Sequence, residues 1–211
     1  MDIIAQLFES IEKNDLARVK EIITESPTLV NTYNYHEARP GLGKQHITPL
    51  ICAAQLGHAD IVRFLLERGA DIHKKTTGCC EYDALLAAVE SESPSLDTIK
   101  FLLEAGLSPD STNECLNSSS LGEAARRGNL AVVQFLLERG ADVNKQDANG
   151  IGQTPLMLAA EANHADVVKL LLRSNADPLI EDTWDETALA KAMKKGHESV
   201  ALLIKEAMDK K

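Results

Sequence analysis

The sequence predicts an all-α fold, a solenoid of stacked antiparallel helix pairs joined by hairpin-like fingers. Two observations carry that prediction. Five segments resemble one another at a nearly constant spacing, and each shows apolar residues at helical intervals. Aromatic residues make up only 4 % of the chain, so the core must be built from Leu, Ile, Val and Ala, which suits close-packed helices.

The segments are "TPLICAAQLGHADIVRFLLERGADI" from Thr48, "DALLAAVESESPSLDTIKFLLEAGLS" from Asp83 and "SSLGEAARRGNLAVVQFLLERGADV" from Ser119. "TPLMLAAEANHADVVKLLLRSNADP" follows from Thr154 and "TALAKAMKKGHESVALLIKEAM" from Thr187. Successive starts are 35, 36, 35 and 33 residues apart.

Each unit has a physical reading. A Thr hydroxyl can cap a helix, and Pro at the first helical position lacks only an N–H that would be orphaned there. A short helix follows with small residues on one side, such as Cys52, Ala53 and Ala54, or Ala159 and Ala160. Gly-His or Asn-His then makes a tight break. In the second helix Ile61, Val62, Leu65 and Leu66 recur as a buried stripe. Gly69, Gly106 and Gly140 stand where a left-handed residue ends that helix, and Asn175 takes the same place.

The pattern "TPL…AA…GH…IV…LL…GAD" resembles the ankyrin-repeat family from Thr48 to the end of the sequence. "FESIEKNDLARVKEIITESPTLVN" fits as an atypical first repeat, giving six helix pairs in a single domain over 1–211. The repeats fall at about 1–31, 47–73, 82–110, 118–144, 153–179 and 186–211, with a long first finger at 32–46. Terminal repeats must solvate one outer face, so polar outer faces are expected at both ends. The chain departs from the family where its Thr-Pro-Leu-His motif has His. That slot holds Ile51, Leu86, Gly122, Met157 or Ala190.

Finger length varies in one place. From the family's Asn slot to the next helix start the junctions take 10 residues (His73 to Asp83), 9 (Asp110 to Ser119), 10 (Asn144 to Thr154) and 8 (Leu179 to Thr187). Asn31 to Thr48 takes 17. "GLGK" within it is no phosphate loop. Ala38 stands where the pattern needs Gly, Gln45 stands where it needs Ser or Thr, and the preceding segment reads as helical.

No other catalytic constellation emerges. Cys79 and Cys80 read as small turn residues, since zinc would need further ligands and only His73 and Cys115 are at hand. His58, His164 and His197 share the break between helices and read as structural. Cys52 reads as a buried, inert thiol. Neither a metal, a cofactor nor a disulfide is expected.

What remains is binding. The two residues after each small pair should face a concave surface: Gln55 and Leu56, Glu90 and Ser91, Arg126 and Arg127, Glu161 and Ala162, Lys194 and Lys195. Finger tips add Tyr33, Tyr35, His36 and Arg39 at one end, Cys79, Tyr82, Cys115 and Leu116 between, and Trp184 at the other. Large rigid side chains of this kind dominate interface energetics. The resemblance implies a protein–protein interaction module, as adaptor, inhibitor, toxin-neutralising protein or bacterial effector, monomeric when free. The alternative is an enzyme or regulatory subunit with a site in the long first finger. A net charge of −10 argues against nucleic acid as the partner. No apolar run reaches membrane-spanning length and no secretory leader is evident, so a cytoplasmic protein is expected, although signal-independent export would leave no trace.

Overall fold

The computed structural model describes residues 2–37, 44–78, 81–112, 118–147 and 151–209, apart from the side chains of 35–37, 44 and 45. The chain divides into two compact units, Met1–Cys115 and Leu116–Lys211.

In the first unit, α1 (Ile3–Glu12) and α2 (Leu16–Glu25) form an antiparallel pair, each opened by an aspartate that accepts a hydrogen bond from a first-turn N–H. A 3₁₀ turn at Pro27–Asn31 leads into a two-stranded antiparallel hairpin, β1 (Asn34–Glu37) and β2 (Lys44–Ile47), with Asn34 opposite Ile47. Two more helix pairs follow: α3 (Pro49–Gln55) with α4 (Ala59–Glu67), and α5 (Ala84–Val89) with α6 (Leu96–Glu104). α3 packs between α1 and α5, and α4 packs between α2 and α6. First helices therefore make one layer and second helices another.

The second unit repeats this with α7 (Ser120–Arg126), α8 (Leu130–Glu138), α9 (Pro155–Glu161), α10 (Ala165–Arg173), α11 (Ala188–Lys194) and α12 (Glu198–Met208). α9 lies between α7 and α11, and α10 between α8 and α12.

The local signals act as the sequence predicts. Thr48, Asp83, Ser119, Thr154 and Thr187 each accept a hydrogen bond of 3.0–3.3 Å from the backbone N–H three residues on. Gly69, Gly106, Gly140 and Asn175 all have positive φ, from +66° to +110°. The small pairs Ala53–Ala54, Ala87–Ala88, Ala124–Ala125 and Ala159–Ala160 are buried, and so are Ile61, Val62 and Leu65 with their counterparts in later repeats, except the half-buried Ala201. Leu66 departs from the expected stripe. It is only half-buried, and Phe64 is buried in its stead. Each buried Leu or Ile contributes roughly 1.5–3 kcal/mol, so these stripes dominate the energetics.

Two expectations need correction. The described residues ahead of "GLGK", Asn34–Glu37, form a strand and not a helix, paired antiparallel with β2. Lys44 opens β2, whereas a phosphate-binding lysine opens a helix, so the dismissal of that motif stands on better ground. The second correction concerns the break between α5 and α6. It has no Gly-His and runs longer, through Glu90–Ser95, lying beside Gly57 of the preceding pair, where an added Cβ would come within 3.5 Å of the Ser93 carbonyl. Glu90 and Ser91, expected on the open face, are each only 7 % exposed.

One backbone position is doubly constrained. Gly128 has φ +71°, and a Cβ there would stand 2.4 Å from Nδ1 of His164. Gly128→Ala should therefore destabilise the protein by more than about 1 kcal/mol, the usual cost of forcing a side chain into a left-handed site. Urea unfolding checks this, and His164→Ala added to the variant should recover part of the loss, because the collision would be gone.

Candidate functional site

The open row at the ends of the first helices is positioned by hydrogen bonds between repeats. In the second unit His164 Nε2 lies 3.1 Å from the Arg126 carbonyl, and His197 Nε2 lies 3.1 Å from the Glu161 carbonyl. His58 takes the same position in the first unit, beside the Glu12 carbonyl, with its Nε2 buried. Burial, opposed by a backbone hydrogen bond with Glu12, holds its pKa below the usual histidine range. These histidines are structural, as their shared position suggests.

The row itself differs between the units. In the first, Gln55 is half-buried and Leu56 is 43 % exposed. In the second, Arg126, Lys194 and Lys195 have side chains 52 %, 68 % and 52 % exposed, with Glu161 between them at 36 %. Arg127 is more covered. Beneath both arginines lies Glu123, which is 2 % exposed and accepts from Arg126 Nε at 2.9 Å, Arg126 Nη2 at 2.7 Å and Arg127 Nε at 2.5 Å. A buried carboxylate thus holds two guanidinium groups at the surface.

At the end of this row Trp184 stands 61 % exposed. It belongs to a turn closed by Asp182, whose Oδ1 accepts from the N–H of Trp184 at 2.9 Å and of Glu186 at 3.0 Å. Asp185 takes φ +56°, as expected for a residue in the family's glycine slot. The Thr183 N–H donates to the Ile151 carbonyl at 2.8 Å, fastening this finger to its predecessor. Trp184, Ile151, Gln153 and the lysines line an open cavity of about 540 Å³. Its floor is Lys191, whose Nζ lies 2.7 Å from Asp182 Oδ2, 3.4 Å from Glu186 Oε2 and 5.5 Å from the centre of the Trp184 ring.

Sequence reasoning missed both Glu123 and Lys191, yet a signal for them exists. They occupy one slot, four residues after the cap, where the other repeats have Cys52, Ala87 and Leu158. A charge at an otherwise apolar register marks a buried ion pair.

The remaining finger residues divide. Tyr33 lies at the base of the first finger, where its Oη donates to the Lys75 carbonyl at 3.2 Å and the Lys74 ammonium sits 4.6 Å from its ring centre. Tyr82, expected at a tip, is 7 % exposed, because its N–H and C=O both pair with Thr76 across the second finger. Tyr35 and His36 lie in β1 with side chains outside the described residues, and Arg39, Cys79, Cys80, Cys115 and Leu116 lie outside them altogether. Among the described residues no group of three or more His, Cys, Asp or Glu converges as a metal would require, and no described helix is long and apolar enough to cross a membrane. Burial, with a smaller push from Glu12, raises the Cys52 pKa to about 12, so this thiol is no nucleophile at neutral pH.

The Asp182–Lys191 pair sets an acid limit. Burial alone would raise the Asp182 pKa, but hydrogen bonds from Lys191 and two backbone N–H groups outweigh it and hold it below the usual range. Its contribution is present at neutral pH and disappears as pH falls through that lowered value. Lys191 is raised, since Asp182 outweighs burial, so its share disappears only above the ordinary lysine range. Lys191→Met should cost about 3 kcal/mol at pH 7, because it strands a fully buried carboxylate. In thermal melts, the gap from the parent protein should close below about pH 4, where the carboxyl is protonated in both the unfolded chain and the variant.

A model of ankyrin repeats matches the chain in three copies, over residues 7–113, 73–147 and 121–211. Similar curated proteins include a putative ankyrin repeat protein YahD of Escherichia coli, 27 % identical over 76 % of this chain and 80 % of that protein. An L-asparaginase of Dirofilaria immitis is 31 % identical over 72 % of this chain but only 25 % of its own length. The ankyrin repeat and KH domain-containing protein mask-1 of Caenorhabditis elegans is 32 % identical over 77 % of this chain and 6 % of its own length. The chain thus spans a quarter or less of two of these relatives and most of the third. With the caps, left-handed helix ends and inter-repeat histidines in register, the chain belongs to the ankyrin-repeat family.

Proposed function

We propose that this chain is a protein-interaction module that acts by occupying a partner's surface, and that its second unit engages the partner through the first-helix row and the Trp184 finger. The observation that carries this reading is the exposed indole of Trp184 above a cavity whose other lining residues are mostly charged. An apolar ring of that size gains little from water and much from a partner. Its turn is held by four elements at once: Asp182, Glu186, Ile151 and Lys191. A rigid anchor of this kind loses little entropy on binding.

The row supplies the charge preference. Arg126, Lys194 and Lys195 are largely exposed while ion-paired with Glu123, Glu186 and Glu161, so the row presents both signs and suits a partner that offers a mosaic of charge beside an apolar residue. In the first unit the Gln55 and Leu56 surface carries no comparable charge. Adaptors, inhibitors, toxin-neutralising proteins and injected effectors all work through occupancy of this kind, and the partner's identity decides among them.

The test is capture from the native host on immobilised protein, run beside Trp184→Ala and a Lys194→Ala/Lys195→Ala variant. A specific partner should be retained by the parent and lost from both. Its affinity for Trp184→Ala should fall at least about tenfold, as for an interface anchor, while the melting temperature moves little. The only tryptophan reports directly: emission of the free protein should be red and easily quenched by acrylamide, shifting blue on binding. Equal retention by parent and variants, or a blue and protected indole in the free protein, would remove Trp184 from the site.

A further inference from the structure

The cavity beside Trp184 has a charged lining, yet its charges are paired with one another. Lys195 Nζ lies 3.3 Å from Glu161 Oε1, and Gln153 Nε2 donates to Glu161 Oε2 at 3.1 Å. Lys194 Nζ lies 2.7 Å from Glu186 Oε1. Lys191 Nζ, on the floor, lies 2.7 Å from Asp182 Oδ2 and 3.4 Å from Glu186 Oε2. Three ammonium groups thus meet three carboxylates. An acidic side chain entering here would be pressed against Glu161 and Glu186, and a basic one against the lysines. Either would lose hydration without gaining a counter-ion of its own. The lining therefore favours an uncharged occupant.

Two further features narrow it. The wall is the Trp184 ring, in a residue 61 % exposed, with Ile151 beside it. An aromatic ring can meet that wall edge-on or in an offset stack, and gains more there than the same apolar area would. The floor is a hydrogen-bond donor. The Lys191 side chain is only 5 % exposed, and its ammonium carries three N–H groups against two carboxylate partners. The centre of the Trp184 ring, 5.5 Å away, is too distant to take the third as a hydrogen bond. Burial opposes the charge, but Asp182 and Glu186 outweigh it and raise the Lys191 pKa, so the floor remains a cation at neutral pH. A hydroxyl at the far end of an aromatic ring accepts from that donor. It also donates its own O–H to a carboxylate such as Glu186. The cavity, about 540 Å³, has room for one such side chain and the backbone that carries it.

We infer that the cavity receives a tyrosine side chain of the partner, its ring against Trp184 and its hydroxyl on the Lys191 ammonium. Recognition of this kind rests on the reading that the second unit binds through the Trp184 finger, and it specifies what enters beside that ring. Phenylalanine would leave the floor donor unmatched. A phosphorylated tyrosine would bring charge that the paired lining does not neutralise.

The only tryptophan gives a single indole N–H resonance, so the test needs no partner. N-acetyl-tyrosinamide, titrated to millimolar concentrations into isotope-labelled protein, should shift that resonance to saturation. N-acetyl-phenylalaninamide should bind about tenfold more weakly, as expected for the loss of a hydrogen bond to a charged group. N-acetyl-O-phosphotyrosinamide should give no saturable shift. Lys191→Met should bring the first two probes to one affinity. Because that variant is destabilised, Glu161→Gln supplies a second arm: it keeps the shape of the side chain but uncovers Lys195, and the phosphorylated probe should then bind. An indole resonance that the tyrosine probe leaves in place would overturn the inference. So would equal affinity for the tyrosine and phenylalanine probes in the parent protein, or a parent that takes the phosphorylated probe as tightly. Loss of partner capture in Trp184→Ala without any response to the tyrosine probe would keep the interaction surface and remove tyrosine from it. Retention of the partner by Trp184→Ala would instead remove the surface itself.

Discussion

A helix pair of this size cannot bury its own apolar stripe, and everything else in the molecule follows from how neighbours complete one another. The stripes supply most of the energy but have no direction. Register comes from a few polar bridges between repeats. Asn31 accepts from the Asp71 N–H at 2.7 Å and donates to the Gly69 carbonyl at 3.1 Å, while Asn144 accepts from the Asp177 N–H at 2.8 Å. In the second unit His164 and His197 act likewise, each reaching the carbonyl at the end of the preceding first helix. Each bond is worth only about 1 kcal/mol net. Being directional, the bridges nevertheless favour one stacking among many of similar apolar content.

With register fixed, a single slot can be varied without disturbing the stack. The residue four after the cap faces the seam between first helices, and small or aliphatic residues suffice there. In two repeats of the second unit it is charged, and each charge builds surface above it. Glu123 aims Arg126 and Arg127, and Lys191 with Asp182 supports the turn that carries Trp184. Such buried pairs add little to stability against an apolar replacement. Their effect is positional, since they turn a flexible finger and two flexible arginines into fixed geometry. The slot before it tolerates change for the converse reason. Leu158 Cδ1 lies 3.1 Å from where a Cβ on Gly122 would be, filling the space, and Met157 Sδ accepts the Thr154 N–H at 3.4 Å. Packing and sulfur thus substitute for the histidine that the family motif would place there.

Much of this was legible in the residues. The period, the caps and the left-handed helix ends are local, set by side-chain chemistry a few positions apart, and they emerge where the spacing puts them. The exposed indole followed from the position of Asp182 and Asp185 in a six-residue turn. Burial of Tyr82, Glu90 and Ser91 was not legible, because it depends on how a finger and an irregular break fold against neighbours 35 residues away in register. The Lys191 pair was half legible. Its slot was anomalous, but its partner lies in a finger whose path the spacing does not give.

The two surfaces that distinguish the second unit arise from opposite treatments of one seam. On one side of α11 the buried Lys191–Asp182 pair supports the Trp184 turn beside an open cavity. On the outer side of the same helix Met193 replaces the alanine found at Ala160, and an apolar side chain four bonds long now projects where a neighbour would need close approach. Ala160 is fully buried where α9 meets α11, so a small residue there lets first helices approach closely, whereas Met193 in the same register leaves a long apolar side chain largely exposed.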